Sequence, residues 1–246
     1  MDCHVCDILL TIAEPDTKQY SDASTCVFVV GNEDRNGLAA RRDQSEVPAT
    51  AGPPRSSPEK YQRILEAAIA VFAERGFHNS RVSDVASRAG VADGTIYLYF
   101  KNKEEILMEA INSAFDAFMK HARTEIAAIA SPVDKLRRLA FLHLEALGSN
   151  RNLAIVLQME LRQSVRFMEA FSHHQMVEYF AVVRECIREG QDEGLLRPEV
   201  NEKIAANCFF GALDEMVTSW VLADHEYPLS QAADSVSDII LQGLEK

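Results

Sequence analysis

From residue 58 onward, apolar and polar positions alternate with a helical period. Ser57-Pro58-Glu59 predicts a helix start: a capping hydroxyl, proline at the first turn and an acid beside the positive end of the dipole. Ile64, Leu65, Ala68, Val71 and Phe72 then recur at the spacing of one buried face, and Gly76 stops the helix. Val82, Val85, Ala86 and Ala89 form a second, shorter apolar face, followed by Gly90 as a tight turn and by Val91 and Ile96. Asn102-Lys103-Glu104-Glu105 and Ser131-Pro132-Val133-Asp134 resemble capping boxes. Gly194 closes a helix holding Tyr179, Val182, Val183, Cys186 and Ile187, and Pro198 and Pro228 punctuate the rest of the chain. The pattern predicts about nine or ten helices and no strand in 58–246. The fold class expected is all-α: a three-helix head and a larger helical body.

Residues 1–57 stand apart. Their polar stretches and Pro48, Pro53 and Pro54 show no sustained period, and Cys26–Val30 is at most one short strand. This segment is expected to be a disordered extension. The domain boundaries expected are 1–57 for that extension, 58–102 for the head and 103–246 for the body.

Three further features narrow the class. No run approaches the roughly 18–20 apolar residues of a membrane span, and Met1–Leu10 lacks the basic start of a signal peptide, so a cytoplasmic protein without a membrane partner is expected. Five cysteines are too few and too odd in number for a disulfide framework. Cys3-His4-Val5-Cys6 is read as a stray spacing, since no second pair completes a metal site, and Cys186 and Cys208 as buried small hydrophobes. The third feature is charge. The chain carries a net −12, yet residues 55–103 hold 8 basic and 5 acidic side chains while 104–246 hold 13 and 23. A small basic face on an acidic chain can attach to phosphate, weakly and with strong salt dependence.

That basic segment has the layout of a helix-turn-helix, in which the helix after the Gly90 turn enters the major groove of double-stranded DNA. Small residues at its start, Ala92, Asp93 and Gly94, permit close approach to bases, although Asp93 repels phosphate and fits better as a helix cap. Thr95 can bond a base edge or touch a thymine methyl. Tyr97 and Tyr99 offer hydroxyls to phosphate, Ser83 reaches the backbone from the first helix, Lys101 is a flanking cation, and Lys103 begins the next helix, whose free amide donors also favour phosphate. Phe100 is core.

The ordered set Val85-Ala86, Ala89-Gly90-Val91, Gly94-Thr95-Ile96-Tyr97, Tyr99-Phe100, Lys103-Glu104 and Leu107 closely resembles the N-terminal domain of TetR-family regulators. The resemblance implies a homodimer whose two heads read a near-palindromic operator, and a pocket in the body that controls head spacing. Residues 92–104, 152–164 and 210–221 further resemble the FadR-type members of that family, repressors of fatty-acid degradation genes that release DNA when a long-chain acyl-CoA binds. This likeness spans about three quarters of the chain and leaves 1–57 without a counterpart.

An acyl chain held between helices would bury about 0.8 kcal/mol per methylene, and the CoA phosphates would need cations. Arg137, Arg138, Arg151, Arg162 and Arg166 are candidates by location, each also readable as a solvated or paired arginine. Asp214 and Trp220, in the polar-interrupted 209–222 stretch, join them as candidate ligand contacts. A structural salt bridge of Arg162 with Asp214 or Glu215 is the favoured reading of those charges. Helices near 175–194 and 201–223 are the expected subunit interface, with Tyr179, Val183, Phe209, Leu213 and Trp220 in that seam or in the core. Two alternatives stand: a regulator of the same type sensing another hydrophobic molecule, such as a drug or signal lipid, and a helical metal enzyme built on His174 and Glu178. The second lacks further ligands and any nucleophile elbow or phosphate loop, so no catalysis and no cofactor are expected.

Overall fold

The structure is a computed structural model that describes residues 57–164, 175–223 and 227–245. The expected extension 1–57, apart from Ser57, and the candidates Arg166 and His174 lie outside the described residues. All described residues belong to one compact unit, Arg55–Lys246. Among them there are nine α-helices and no strand; a single antiparallel bridge joins Leu196 to Glu245. The head contains α1 (Pro58–Arg75), α2 (Val82–Ala89) and α3 (Asp93–Ile96). The body contains α4 (Lys103–Ala127), α5 (Pro132–Gly148), α6 (Arg151–Ile155), α7 (Val177–Asp192), α8 (Glu202–Leu222) and α9 (Ala233–Leu244). No helix among the described residues is long and apolar enough to cross a membrane.

The expected faces are the buried ones. Ile64, Leu65, Ala68, Val71 and Phe72 of α1 pack against Val85, Ala86 and Ala89 of α2 and against α4. Gly90 takes φ +66°, the left-handed conformation that glycine adopts without a Cβ clash, and its amide closes α2. Asn102 and Ser131 cap α4 and α5 by accepting from the amides of Glu105 and Asp134. Ser57 occupies the N-cap of α1 but its hydroxyl makes no capping bond; its backbone carbonyl takes the amides of Lys60 and Tyr61 instead. Head and body are stapled together by the Tyr61 hydroxyl, which donates to Glu109 of α4 at 2.9 Å. Burial and that carboxylate push the Tyr61 phenol up to about 12, so it stays a donor.

In the body, α5 lies centrally, in contact with α4, α7, α8 and α9. Gly148 at its end is required by packing: a Cβ there would stand 2.8 Å from the Cβ of Leu229. After α6 the winding changes, with a π-helical stretch Val156–Glu160 followed by a 3-10 turn Leu161–Gln163. The helix α8 mixes apolar and polar residues on its outer side, with Ile204, Cys208 and Leu222 exposed beside Asn207, Glu215 and Ser219, so the period alone did not choose its buried side. Cys208, expected to be buried, sits on its solvent side, whereas Cys186 on α7 is buried.

Candidate DNA-binding and effector-binding site

The head presents the expected reading edge. Ser83, Ala92, Asp93, Gly94, Tyr97 and Lys101 are exposed, and Thr95 and Tyr99 are half-buried. Ile96 and Phe100 are buried, which anchors α3 and turns Tyr97 outward, 59% exposed. The helix after the turn is a single turn long, Asp93–Ile96. Its N-cap is Ala92, and Asp93 is the first helical residue with no capping bond, so the expectation that Asp93 caps is corrected. The acid still complements the N-terminal dipole.

The head's cations are unequally available. Arg75 pairs with Asp84 and Arg88 with Glu74, each at 2.6 Å, tying α2 to α1. Lys103 Nζ turns inward: it donates to the carbonyls of Phe77 at 2.6 Å and Ser80 at 2.9 Å and lies 4.4 Å from the centroid of the Phe77 ring. Its ammonium therefore holds the loop between α1 and α2. Lys60, Arg63 and Lys101 are exposed.

Within the body, an aromatic cluster surrounds one polar pair. His143 Nδ1 and the Tyr179 hydroxyl are 3.1 Å apart and buried, with the Phe118, Phe180 and Phe210 rings about them. Burial holds the His143 imidazole down to about 4 and raises the Tyr179 phenol, so both are neutral near pH 7. Beside them lies a polar quartet. Arg162 Nη2 donates to Asp214 at 2.6 Å, Gln158 Nε2 donates to the same carboxylate at 2.9 Å, and the Thr218 hydroxyl donates to Gln158 Oε1 at 3.0 Å. The favoured reading of Arg162 as a salt-bridge partner of Asp214 matches this geometry.

The other described arginine candidates, Arg137, Arg138 and Arg151, are engaged as well. Arg137 pairs with Asp238 and Arg138 with Glu125. Arg151 donates to the carbonyls of Trp220 and Val221 and lies 4.9 Å from the Trp220 ring centroid. Trp220 is buried, and its indole N–H donates to the Tyr227 carbonyl at 2.8 Å. The five residues left open between seam and core, Tyr179, Val183, Phe209, Leu213 and Trp220, are all buried within the protomer. The exposed apolar positions of the body include Ile204 and Leu222 on α8, Ile239 on α9 and Val177 at the start of α7.

Sequence reasoning missed Glu160. Its carboxylate accepts from the Phe77 amide at 2.7 Å, across 83 residues, and no periodicity marks such a pairing. A groove of about 280 Å³ between α1, α4 and the start of α6, lined by Gln62, Leu65, Ile69, Ala114, Asn152 and Leu153 among others, also went unseen. Glu178, the proposed metal partner of His174, instead pairs with Arg123 at 2.9 Å, and no cluster of three or more metal-ligating side chains occurs among the described residues.

A short helix-turn-helix head on an all-α body defines a DNA-binding regulator class, and comparison gives the family. The description "Bacterial regulatory proteins, tetR family" matches residues 64–110, and "YsiA-like protein, C-terminal region" of the TetR type matches residues 111–243. The chain belongs to the TetR family of transcriptional regulators. It is 37% identical over 185 residues to the fatty acid metabolism regulator protein of Bacillus subtilis, covering 75% of this chain and 95% of that one. Among solved structures it is similar to the fatty acid degradation regulator FadR of Bacillus halodurans, with TM-score 0.73, 36% identity and coverage of 78% of this chain and 100% of that one. It is also similar to Bacillus subtilis FadR in complex with stearoyl-CoA, with TM-score 0.71, 36% identity and coverage of 75% and 100%. The chain is thus a TetR-type regulator related to fatty acid metabolism regulators.

Two outcomes are expected from this geometry. Tyr97→Ala lowers operator affinity about tenfold with an unchanged melting temperature, whereas Lys103→Ala lowers both, because it strips three carbonyls of their donor; calorimetric melting with fluorescence-anisotropy titration checks this, and equal melting losses in the two variants contradict it. The second concerns His143. The unfolded chain takes up a proton near 6.5 while the fold resists until about 4, so stability falls as pH drops through that window. Urea unfolding of wild type and His143→Gln from pH 7 to 4.5 should show the wild type losing more, by on the order of 2–3 kcal/mol; parallel losses contradict it.

Proposed function

We propose that this chain is a repressor that binds a near-palindromic operator as a homodimer and releases it when a long-chain acyl-CoA enters the body, so controlling fatty-acid degradation genes. The observation that carries this reading is the similarity, over three quarters of this chain and the whole of the other, to a regulator solved with stearoyl-CoA. Three features of the protomer support it.

First, Ile204, Cys208, Gly211, Glu215 and Leu222 share the exposed side of α8 at helical spacing, beside exposed Ile239 on α9. This side also carries the polar Asn207, Glu215 and Ser219, and its exposed Ile204 and Leu222 suit a second copy of the chain. The proposed seam therefore runs along α8 and α9, whereas Tyr179, Val182, Val183, Cys186 and Ile187 of α7 are buried in the protomer and only Val177 at its start is an exposed large apolar residue. Second, the body interior around Phe118, Phe180 and Phe210 is apolar with a few neutral polar groups, the composition of small-molecule sites. Third, the body carries Arg137, Arg151 and Arg162, each held by a partner that an anion can displace. The CoA phosphates would take them from present partners: Arg162 from Asp214, Arg137 from Asp238, or Arg151 from the α8 carbonyls. Such an exchange of partners is what lets a ligand favour one arrangement of helices over another. Ser83, Thr95, Tyr97, Tyr99 and Lys101, with the Ala92–Gly94 start of α3 and the amide end of α4 at Lys103, form the proposed DNA contacts.

In a mobility-shift titration, stearoyl-CoA should release the operator at micromolar concentration, and free CoA and acetyl-CoA should not. Retention of the operator at saturating stearoyl- and oleoyl-CoA would remove the effector assignment and leave the regulator assignment standing.

A further inference from the structure

The body grips the head at Phe77. Gly76 ends α1 at φ +78°, and the next peptide is held from both sides. The Phe77 amide donates to Glu160 Oε2 at 2.7 Å, and its carbonyl accepts from Lys103 Nζ at 2.6 Å. The Phe77 ring is buried, with its centroid 5.3 Å from that of Phe72. Lys103 also holds the carbonyl of Ser80, which directly precedes Arg81, the N-cap of α2. The Glu160 carboxylate packs on the turn itself, since a Cβ at Gly76 would stand 3.6 Å from it. Charge-assisted hydrogen bonds of this kind are roughly twice as strong as neutral ones. The entry to the DNA-reading helices is thus fixed by two charged side chains of the body.

Glu160 occupies a peculiar place. It ends the π-helical stretch Val156–Glu160 and is followed at once by a 3-10 turn. A helix that changes winding twice over so few residues has neighbouring hydrogen-bond registers available and often marks a hinge. The flanking residues Gln158 and Arg162 are the ones bonded to Asp214 of α8. One short segment therefore carries both the body's polar quartet and the grip on the head.

We propose that Glu160 is a positioning residue that sets the angle of the head on the body, and that a ligand disturbing the Gln158–Arg162–Asp214 quartet is felt at α2 through its carboxylate. The ligand part rests on the effector proposed above; the angle-setting part rests only on the homodimer and its two-half-site operator. In a dimer, head angle is head spacing, and head spacing is read by the distance between operator half-sites.

The test uses the full-length dimer and an operator selected from random duplex DNA, with versions carrying one base pair more or fewer between half-sites. Wild type should lose about tenfold in affinity for each altered spacing. Glu160→Ala should bind the parent operator within about threefold of wild type but discriminate spacing by only about twofold. Glu160→Gln, whose amide oxygen still accepts from Phe77, should keep the wild-type discrimination. Glu160→Asp, one methylene short, gives a milder version that decides the matter if the alanine variant melts early. Unchanged discrimination in the alanine and aspartate variants overturns the proposal, as does an equal loss on all three operators or a wild type indifferent to spacing. Stearoyl-CoA added to the parent operator separates the two readings: failure to release wild type counts against the effector, while the spacing comparison still decides Glu160.

Discussion

A basic excess of three charges on a chain of net −12 is a weak hold on DNA. The pairs Arg75–Asp84 and Arg88–Glu74 cancel within the head and leave that excess at three, and Lys103, one of the remaining cations, is turned onto backbone carbonyls. In the proposed homodimer, affinity comes from two heads engaging together, and a paired engagement is sensitive to how far apart the heads stand. The short single-turn α3 suits such an arrangement. It is anchored by Ile96 and Phe100 and offers few side chains to bases, so the geometry between heads carries more of the binding than any one contact.

The interior of the body shows how the opposite problem, polar groups in an apolar place, is handled. Asp214 is paired with Arg162 and bonded by Gln158, which in turn accepts from Thr218. His143 and Tyr179 bond each other inside a ring of phenylalanines. Buried polar groups satisfied in this way stabilise one arrangement of helices, and removing a single partner leaves the other exposed to a large desolvation penalty. In the proposed mechanism, a ligand that displaces one of these partners would shift the network to another arrangement.

The parts of the fold legible in the sequence are those set by local physics. The faces of α1 and α2 could be read because each helix buries one side only, and the Gly90 turn because no other residue adopts its backbone as readily. The ordered motif from Val85 to Leu107 pointed to the family because its residues are close in sequence. Asp93 was misread as a cap because Ala92, a poor capping residue, fills that position. Cys208 was misplaced because α8 also carries apolar residues, Ile204 and Leu222, on its outer side, where a second copy is proposed. Glu160 and the inward turn of Lys103 were out of reach: both are contacts with the loop at Phe77, one of them 83 residues distant, and spacing carries no record of such pairs. The salt bridge of Arg162 with Asp214 was anticipated because a charge inside an apolar helix demands a partner.

In the proposed mechanism, the body's ligand and the operator oppose each other through the geometry of one dimer, and such coupling is reciprocal. Calorimetric titration of stearoyl-CoA into the dimer alone, and into the dimer saturated with operator, reads that coupling without an intermediary. Operator should weaken stearoyl-CoA binding by the same factor, about tenfold or more, by which stearoyl-CoA weakens operator binding. Equal affinity for the ligand with and without operator would refute the coupling.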